Sequence, residues 1–176
     1  MIVIRNNIMK AKKKTKQRER KSDALIVYCA KYSKRPKLAS VRLDKKLVNM
    51  INTCRTRDKK LELQTLITTS MLREKVKHVL GEPCKYCGTI LDHNNISLDH
   101  IVPLARGGNS SEANVQFICN ICNRQKDKML EQEFKQLKEL INSFSEISRI
   151  YVNRKLSMNG GHYDLSKGTQ TESKEG

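Results

Sequence analysis

The residues best suited to chemistry lie within one short stretch, residues 97–127, which reads "SLDHIVPLARGGNSSEANVQFICNICNRQKD". There Asp99 precedes His100, Asn114 follows a double glycine, and Asn123 closes a CxxCN turn. Imidazole exchanges protons near neutral pH, and carboxylate and amide oxygens are ligands for hard divalent cations. Hydrolysis of a phosphodiester needs a base that activates water and a cation on the phosphate, and this stretch offers groups of both kinds.

Two CxxC pairs stand in and before this stretch: Cys84 with Cys87, and Cys119 with Cys122. Each spacing lets two thiolates turn toward one ion, and four sulfurs in tetrahedral geometry suit zinc and close its coordination shell, which predicts a structural site. The 31 residues between the pairs exceed the roughly 15–20 of the short zinc-finger template, so we expect the zinc to hold the ends of an inserted unit together. A redox pair would need only one CxxC beside a βαβ pattern, which is not evident. An iron–sulfur cluster remains compatible with the spacing.

The pattern between the two pairs indicates the elements that position these groups. A period of two, in Ile96 and Leu98 and again in Val115 and Phe117, predicts two short strands. The glycine- and serine-rich run between them predicts a loop, and a helix is expected to begin near Cys119. The predicted order is strand, long loop, strand and helix.

The run "LDHIVPLARGGNSSEANVQFICNICNRQK" resembles the HNH endonuclease family, which has an Asp-His at the end of a first strand, a glycine-rich loop, a central Asn and a CxxCN turn that enters a helix. The resemblance covers residues 84–127 and extends loosely over predicted helices at 71–80 and 131–144, which is less than half of the chain. It implies an α+β fold, with a small zinc-stapled ββα-metal core flanked by helices. The sequence adds a basic helical N-terminal region.

The resemblance also implies roles for single residues. His100 matches the general base that takes a proton from the attacking water, and Asp99 matches the carboxylate that holds the catalytic divalent ion. Asn114 matches the middle Asn, which holds the loop by hydrogen bonds and helps to orient the His. Asn123 stands at the third position, where many members have His, so the motif here is His-Asn-Asn. An amide oxygen suits Mg²⁺, and the preferred metal stays open.

Cofactors and substrate contacts follow from the cysteine pairs and from the residues at and beside the candidate catalytic site. We expect structural Zn²⁺ on the four cysteines and a single Mg²⁺ or other divalent ion at the catalytic site. Arg124 and Lys126 lie next to that site in the sequence and are predicted to contact flanking phosphates. A solvated helix face is the alternative for both side chains.

The charge of the chain favours a polyanionic partner. Lys and Arg outnumber Asp and Glu by 35 to 18, which gives a net charge of +17, and basic proteins bind nucleic acid through phosphate contacts and counterion release. Residues 1–83 hold 23 basic and 7 acidic residues, whereas residues 84–127 hold four of each. We therefore expect the N-terminal half to hold the nucleic acid. The alternative is that the basic surface only confers solubility.

These observations predict a division of the chain into four parts. Residues 1–21 form a basic flexible arm, residues 22–68 a basic helical region, residues 69–150 the nuclease domain with its motif core at 84–127, and residues 151–176 a mostly disordered tail. No run of about 18 apolar residues is present, so no membrane span is expected. The N-terminal "MIVIRNNIM" lacks the order of a signal peptide, and we expect a cytoplasmic protein.

The leading hypothesis is a metal-dependent endonuclease that hydrolyses phosphodiester bonds in DNA. The alternative is a zinc-stapled DNA-binding module without catalysis. RNA is a less favoured substrate that the sequence leaves open, and the sequence does not indicate an oligomeric state.

Overall fold

The computed structural model describes residues 23–159. The basic arm expected at 1–21 and the end of the predicted tail lie outside the described residues. Within that range, helices and one antiparallel sheet give the predicted α+β class. The elements are α1 (Ile26–Cys29), α2 (Pro36–Lys60), α3 (Thr69–Lys77), β1 (Ile96–His100), a 3-10 turn (Leu104–Arg106), β2 (Val115–Cys119), α4 (Asn120–Lys126), α5 (Glu131–Asn142) and α6 (Glu146–Asn159).

The two strands form the predicted hairpin-like pair, followed at once by a helix. β1 and β2 run antiparallel, with Leu98 opposite Phe117, Asp99 opposite Gln116, and the last residue of β1 opposite Val115. Because side chains alternate along a strand, Leu98 and Phe117 lie in the core, whereas Asp99 and Gln116 share the other face. The carboxyl end of β1 therefore presents its polar side chains beside α4.

The N-terminal helices pack against this sheet, a point that the sequence pattern left undecided. Leu43, Leu47 and Ile51 repeat at about one turn along α2, which begins at a proline that cannot continue a preceding helix. They share one buried cluster with Val76 of α3 and Val115 of β2. Predicted region 22–68 is therefore joined to the sheet by a common hydrophobic core.

A second buried cluster forms around the cysteine pairs. Phe134 of α5 is fully buried there beside Leu91 and Ile118, and the ring of Tyr86 meets its ring edge-on at 4.8 Å between centroids. This is the core packing that the apolar stripe of α5 predicts.

Helix α6 corrects the boundary of the predicted tail, because the chain stays helical from residue 151 to residue 159. The side-chain amide of Gln125 in α4 donates to the carbonyl oxygen of Asn153 at 3.0 Å and to the hydroxyl of Ser157 at 2.8 Å. Lys138 of α5 adds a contact to the Asn153 amide oxygen at 3.2 Å. These contacts are polar, so no apolar periodicity marked the helix. In the described residues, no helix has the length and apolar content that a membrane span requires.

Candidate active site

A cavity of about 420 Å³ opens where β1 ends, between α2 and α4. Three residues that the sequence singled out, Asp99, His100 and Asn123, line this one cavity. Asp127 lies there too, at the end of α4. The remaining charged lining residues are all basic and come from α2 and from the segment after α4: Arg57, Lys60 and Lys128.

His100 is buried and is held at one ring nitrogen. Its Nε2 atom lies 2.9 Å from Oγ of Ser110, and that hydroxyl donates to Oδ1 of Asp58 at 2.8 Å. The other carboxylate oxygen of Asp58 accepts a hydrogen bond from the Thr65 hydroxyl at 2.5 Å. Burial lowers the pKa of His100, because desolvation disfavours the charged imidazolium. The imidazole is therefore neutral at pH 7, as a general base must be.

Asp99 lines the cavity and is held between two donors. Gln116 on the paired strand donates its amide to Oδ2 at 2.7 Å, and the Lys126 ammonium lies 3.1 Å from Oδ1. Lys126 also donates to the carbonyl oxygen of His100 at 2.7 Å. Burial raises the pKa of Asp99, while the Gln116 hydrogen bond and the Lys126 charge act in the opposite direction.

The position of Lys126 corrects one prediction made from the sequence. The side chain is fully buried, so it is not available to a flanking phosphate. Lys126 follows Asn123 by three residues, and residues at that spacing share one face of a helix; both therefore point toward β1. Arg124, one residue later than Asn123, is exposed and donates to the carbonyl oxygen of Ser157 at 3.2 Å.

Asn123 connects α4 to the first strand. Its side-chain nitrogen donates to the Ser97 hydroxyl at 2.7 Å and to the Leu98 carbonyl at 3.2 Å. Both bonds use the nitrogen, so neither occupies the amide oxygen. This is the oxygen that the sequence assigned to a divalent ion.

Asn114 fastens the loop between the strands. Its amide oxygen accepts from the Val102 backbone at 2.9 Å, and its nitrogen donates to the carbonyls of Val102 and Asn109 at 2.9 and 2.8 Å. Gly108 lies against the carbonyl group of Val102, and a Cβ added to Gly108 would come within 1.9 Å of that oxygen. Only glycine fits there, which explains the second residue of the double glycine.

The four paired cysteines meet at one point. Their sulfur atoms all lie within 4.8 Å of one another, and tetrahedral zinc with bonds of about 2.3 Å places its sulfurs about 3.8 Å apart. The backbone N–H groups of Cys119 and Cys122 point at the sulfurs of Cys84 and Cys119, at 3.4 and 3.3 Å. Hydrogen bonds from Cys119 and Cys122 lower the pKa of Cys84, whereas the pKa of Cys119 is raised to about 11 and hydrogen bonding to the other two thiols raises that of Cys122, so the sulfurs share their protons. The donor set and the spacing, completed by Cys87, suit a metal such as zinc.

Sequence reasoning missed Asp58 and Ser110. A signal for Asp58 was present, because it continues the spacing of Leu47, Ile51 and Cys54 on the buried stripe of α2. An acid on an apolar stripe is a buried polar group that needs a partner. Ser110 carried no such signal, since its place next to His100 depends on the path of the loop.

Comparison with known proteins covers the segment that carries most of these residues. The family model described as HNH endonuclease matches residues 84–138. The CRISPR-associated endonuclease Cas9 of Actinomyces naeslundii is 45% identical to this chain over 47 residues, which are 26% of the chain and 4% of that protein. The chain thus corresponds to a small part of that relative, and the resemblance seen in the sequence is confirmed for the segment with the cysteine pairs and the His-Asn-Asn motif.

Proposed function

We propose, from the HNH endonuclease domain that residues 84–138 form, that this protein is a metal-dependent endonuclease hydrolysing phosphodiester bonds in DNA. The observation that carries the proposal is the single cavity that Asp99, His100 and Asn123 line together with basic residues. A water-activating base, oxygen ligands and phosphate-binding cations lie within reach of one scissile group there.

His100 acts as the general base in this proposal. Its lowered pKa leaves the imidazole unprotonated at neutral pH, so it can accept the proton of an attacking water. Ser110 and Asn114 keep it in place, the first by a contact to the ring and the second through the loop that carries Ser110.

Asp99 and Asn123 are the residues that would hold the divalent ion. A carboxylate and an amide oxygen form a hard donor set of the kind Mg²⁺ takes, and Asp127 adds a further acid to the same cavity. When bound, the ion supplies Lewis-acid stabilisation of the charge that develops on the phosphate. Gln116 and Lys126 hold Asp99 in position from below.

The last turns of α2 are the proposed DNA contact. Arg57 and Lys60 line the cavity, and both also border shallow grooves along the exposed face of α2 with Asn52 and Thr56. Lys128 lies on the opposite side of the cavity. A DNA strand that runs along α2 toward His100 would thus have its phosphate charges neutralised by these basic side chains.

The cysteine cluster is proposed to bind structural zinc. Four sulfur ligands leave no coordination position for substrate, so the ion stabilises the fold around α4 and takes no part in hydrolysis. We also place the protein in the cytoplasm, where paired CxxC spacings are more often metal ligands than disulfides.

One observation favours the alternative of a DNA-binding module without catalysis. The Lys126 ammonium lies on the Asp99 carboxylate, and a cation of the protein itself competes there with a divalent ion. One comparison separates the two functions. An endonuclease both binds and cleaves DNA, whereas a binding module only binds it.

The test compares His100→Ala with His78→Ala, an exposed histidine at the end of α3. Each zinc-loaded variant is incubated with supercoiled plasmid and Mg²⁺, and its DNA affinity is measured in buffer without Mg²⁺. We expect His100→Ala to lose cleavage and keep affinity, and His78→Ala to retain both. Equal cleavage by both variants would refute the proposed mechanism, and binding without cleavage by the unaltered protein would favour the alternative.

A further inference from the structure

Two buried side chains lie in a row behind the candidate base, and the base itself completes the row. Asp58 lies in the last turn of α2, Ser110 lies in the loop between the two strands, and His100 is the last residue of β1. Asp58 and Ser110 are fully buried, with 0% of each residue exposed. The row is continuous, with 2.8 Å from Asp58 to Ser110 and 2.9 Å from Ser110 to His100.

The donors and acceptors in this row have a fixed direction. An ionised carboxylate can only accept hydrogen bonds, and a serine hydroxyl has one proton to give. Ser110 gives that proton to Asp58, so its oxygen is left to accept from the His100 ring. Nε2 of His100 must then carry the hydrogen, and the lone pair of the neutral ring lies on Nδ1.

Thr65 supports this direction from the other side. Its hydroxyl donates to the second oxygen of Asp58 at 2.5 Å. Asp58 thus meets one hydroxyl at each oxygen, and an ionised carboxylate accepts a hydrogen bond from both. A protonated acid would have to turn one of these contacts into a donation.

We propose that Asp58 and Ser110 are positioning residues that fix the tautomer of His100, with hydrogen on Nε2 and the accepting lone pair on Nδ1. The inference rests on the proposed endonuclease function for its catalytic consequence, and on the hydrogen bonds alone for the tautomer. Asp58 also lies where its negative charge favours the imidazolium that forms once His100 has taken the proton of water.

This assignment gives α2 a part in the active site. The backbone carbonyl of Ser110 accepts hydrogen bonds from the N–H groups of Leu66 and Ile67, at 3.1 and 2.9 Å. The segment that follows α2 therefore holds the loop by its backbone, while Asp58 holds it by its side chain. A nuclease domain that began at residue 69 would lack both contacts.

The test uses Asp58→Asn and Ser110→Ala in the full-length, zinc-loaded protein. Ser110→Ala removes the hydroxyl without adding volume, and Asp58→Asn keeps the shape but introduces an amide that can donate. Ser111→Ala, at the neighbouring position, is the matched control. Two readouts are needed: the ¹⁵N chemical shifts of the His100 ring at a pH where it is neutral, and kcat and KM for plasmid cleavage.

We expect the ¹⁵N shifts of the unaltered protein to show hydrogen on Nε2, and both variants to show mixed tautomers. We expect kcat to fall about 10- to 100-fold in each variant, as for other residues that orient a ligand or base from behind, with KM within about twofold. Ser111→Ala should match the unaltered protein in both readouts.

The contrary result is hydrogen on Nδ1 in the unaltered protein, or variants that change neither the tautomer nor kcat. A loss of folding in one variant would leave the other, and the tautomer of the unaltered protein, to decide. If the protein cleaves no DNA, the proposed function fails, whereas the tautomer is still read directly from the ¹⁵N shifts.

Discussion

The ammonium nitrogen of Lys126 lies 3.1 Å from Oδ1 of Asp99, and the two side chains are only 0% and 4% exposed. A buried charge is tolerated only with a partner, so each of these residues depends on the other. Asp99 lines the same cavity as His100, whereas Lys126 is not among its lining residues. The charge of Asp99, the candidate metal ligand, therefore depends on the buried Lys126 as well as on what occupies the cavity.

Replacing Lys126 with Met should destabilise the protein by about 3–5 kcal/mol, because the substitution leaves the Asp99 carboxylate buried without its counter-charge. Urea unfolding of the zinc-loaded protein, in buffer without Mg²⁺, measures this loss. Addition of Mg²⁺ should restore part of the stability if Asp99 holds the ion. Arg124→Met, on the exposed side of α4, serves as the control and should change stability by no more than about 0.5 kcal/mol. A loss below about 1 kcal/mol for Lys126→Met would show that the pair does not matter.

Removal of the thiolate ligands should abolish metal binding at the cysteine cluster. We expect one zinc ion per chain in the purified protein, measured by metal analysis, and none in Cys122→Ser. The unfolding temperature should fall with it, since a structural zinc contributes folding energy directly. Cys29→Ala, a buried cysteine outside the cluster, should keep its zinc. Retention of zinc by Cys122→Ser would contradict the assignment.

The two loop glycines should respond differently to alanine. In Gly108→Ala the new Cβ meets the Val102 carbonyl carbon at 2.8 Å and its oxygen at 1.9 Å, so the loop must shift, and we expect a loss of about 1–3 kcal/mol and a lower cleavage rate. Gly107 has a φ of +83° but open space around it, so Gly107→Ala should cost about 1 kcal/mol. Equal effects of the two substitutions in urea unfolding would argue against the close approach.

The cleavage rate should rise with pH on its acidic side. The base must be unprotonated, and the unprotonated fraction grows as the pH passes through the pKa of His100. Burial lowers that pKa below its ordinary value of about 6.5, so more than half of the plateau rate should already be present at pH 6.5. A profile of kcat/KM at saturating Mg²⁺ measures this limb. A midpoint clearly above 6.5 would contradict the environment described for His100.

The basic end of α2 should contribute to the salt dependence of DNA binding. Substituting both Arg57 and Lys60 with Gln should lower the slope of log affinity against log salt by about 2, because each lost phosphate contact removes about 0.9. Lys34 and Lys37 lie exposed at the other end of the helix, about 35 Å away. The double substitution of these two should leave the slope nearly unchanged. Equal slopes for both double variants would remove α2 from the proposed DNA path.

Local spacing made much of this site predictable from the sequence. Each CxxC spacing brings two sulfurs together within one turn of the chain, and alternation fixes which strand residues share a face, so each cysteine pair and the ββα order could be predicted locally. That the two pairs meet was predicted because one zinc ion needs four sulfur ligands. Asp99, His100 and Asn123 meet because β1 and α4 both pack against β2. Their common cavity followed from that short-range arrangement.

The parts that sequence reasoning missed depend on contacts far apart in the chain. Asp58 reaches Ser110 across 52 positions, and nothing in the composition of a basic helix announces that approach. Lys126 looked like a surface cation because the charge pattern does not reveal which side of α4 faces β1. Helix α6 was missed for another reason. It is held by polar contacts to Gln125, so its sequence does not need the hydrophobic periodicity that predicts a packed helix.

The dependence of plasmid cleavage on a divalent ion tests the central claim most directly. Single-turnover cleavage of supercoiled plasmid by the zinc-loaded protein is measured as Mg²⁺ is increased, with Asp99→Asn alongside. The account predicts nicked or linear DNA at a rate that rises and saturates with Mg²⁺, with a much weaker response in Asp99→Asn. A rate without added Mg²⁺ equal to the rate at saturating Mg²⁺, or no cleavage with any divalent ion, would contradict it.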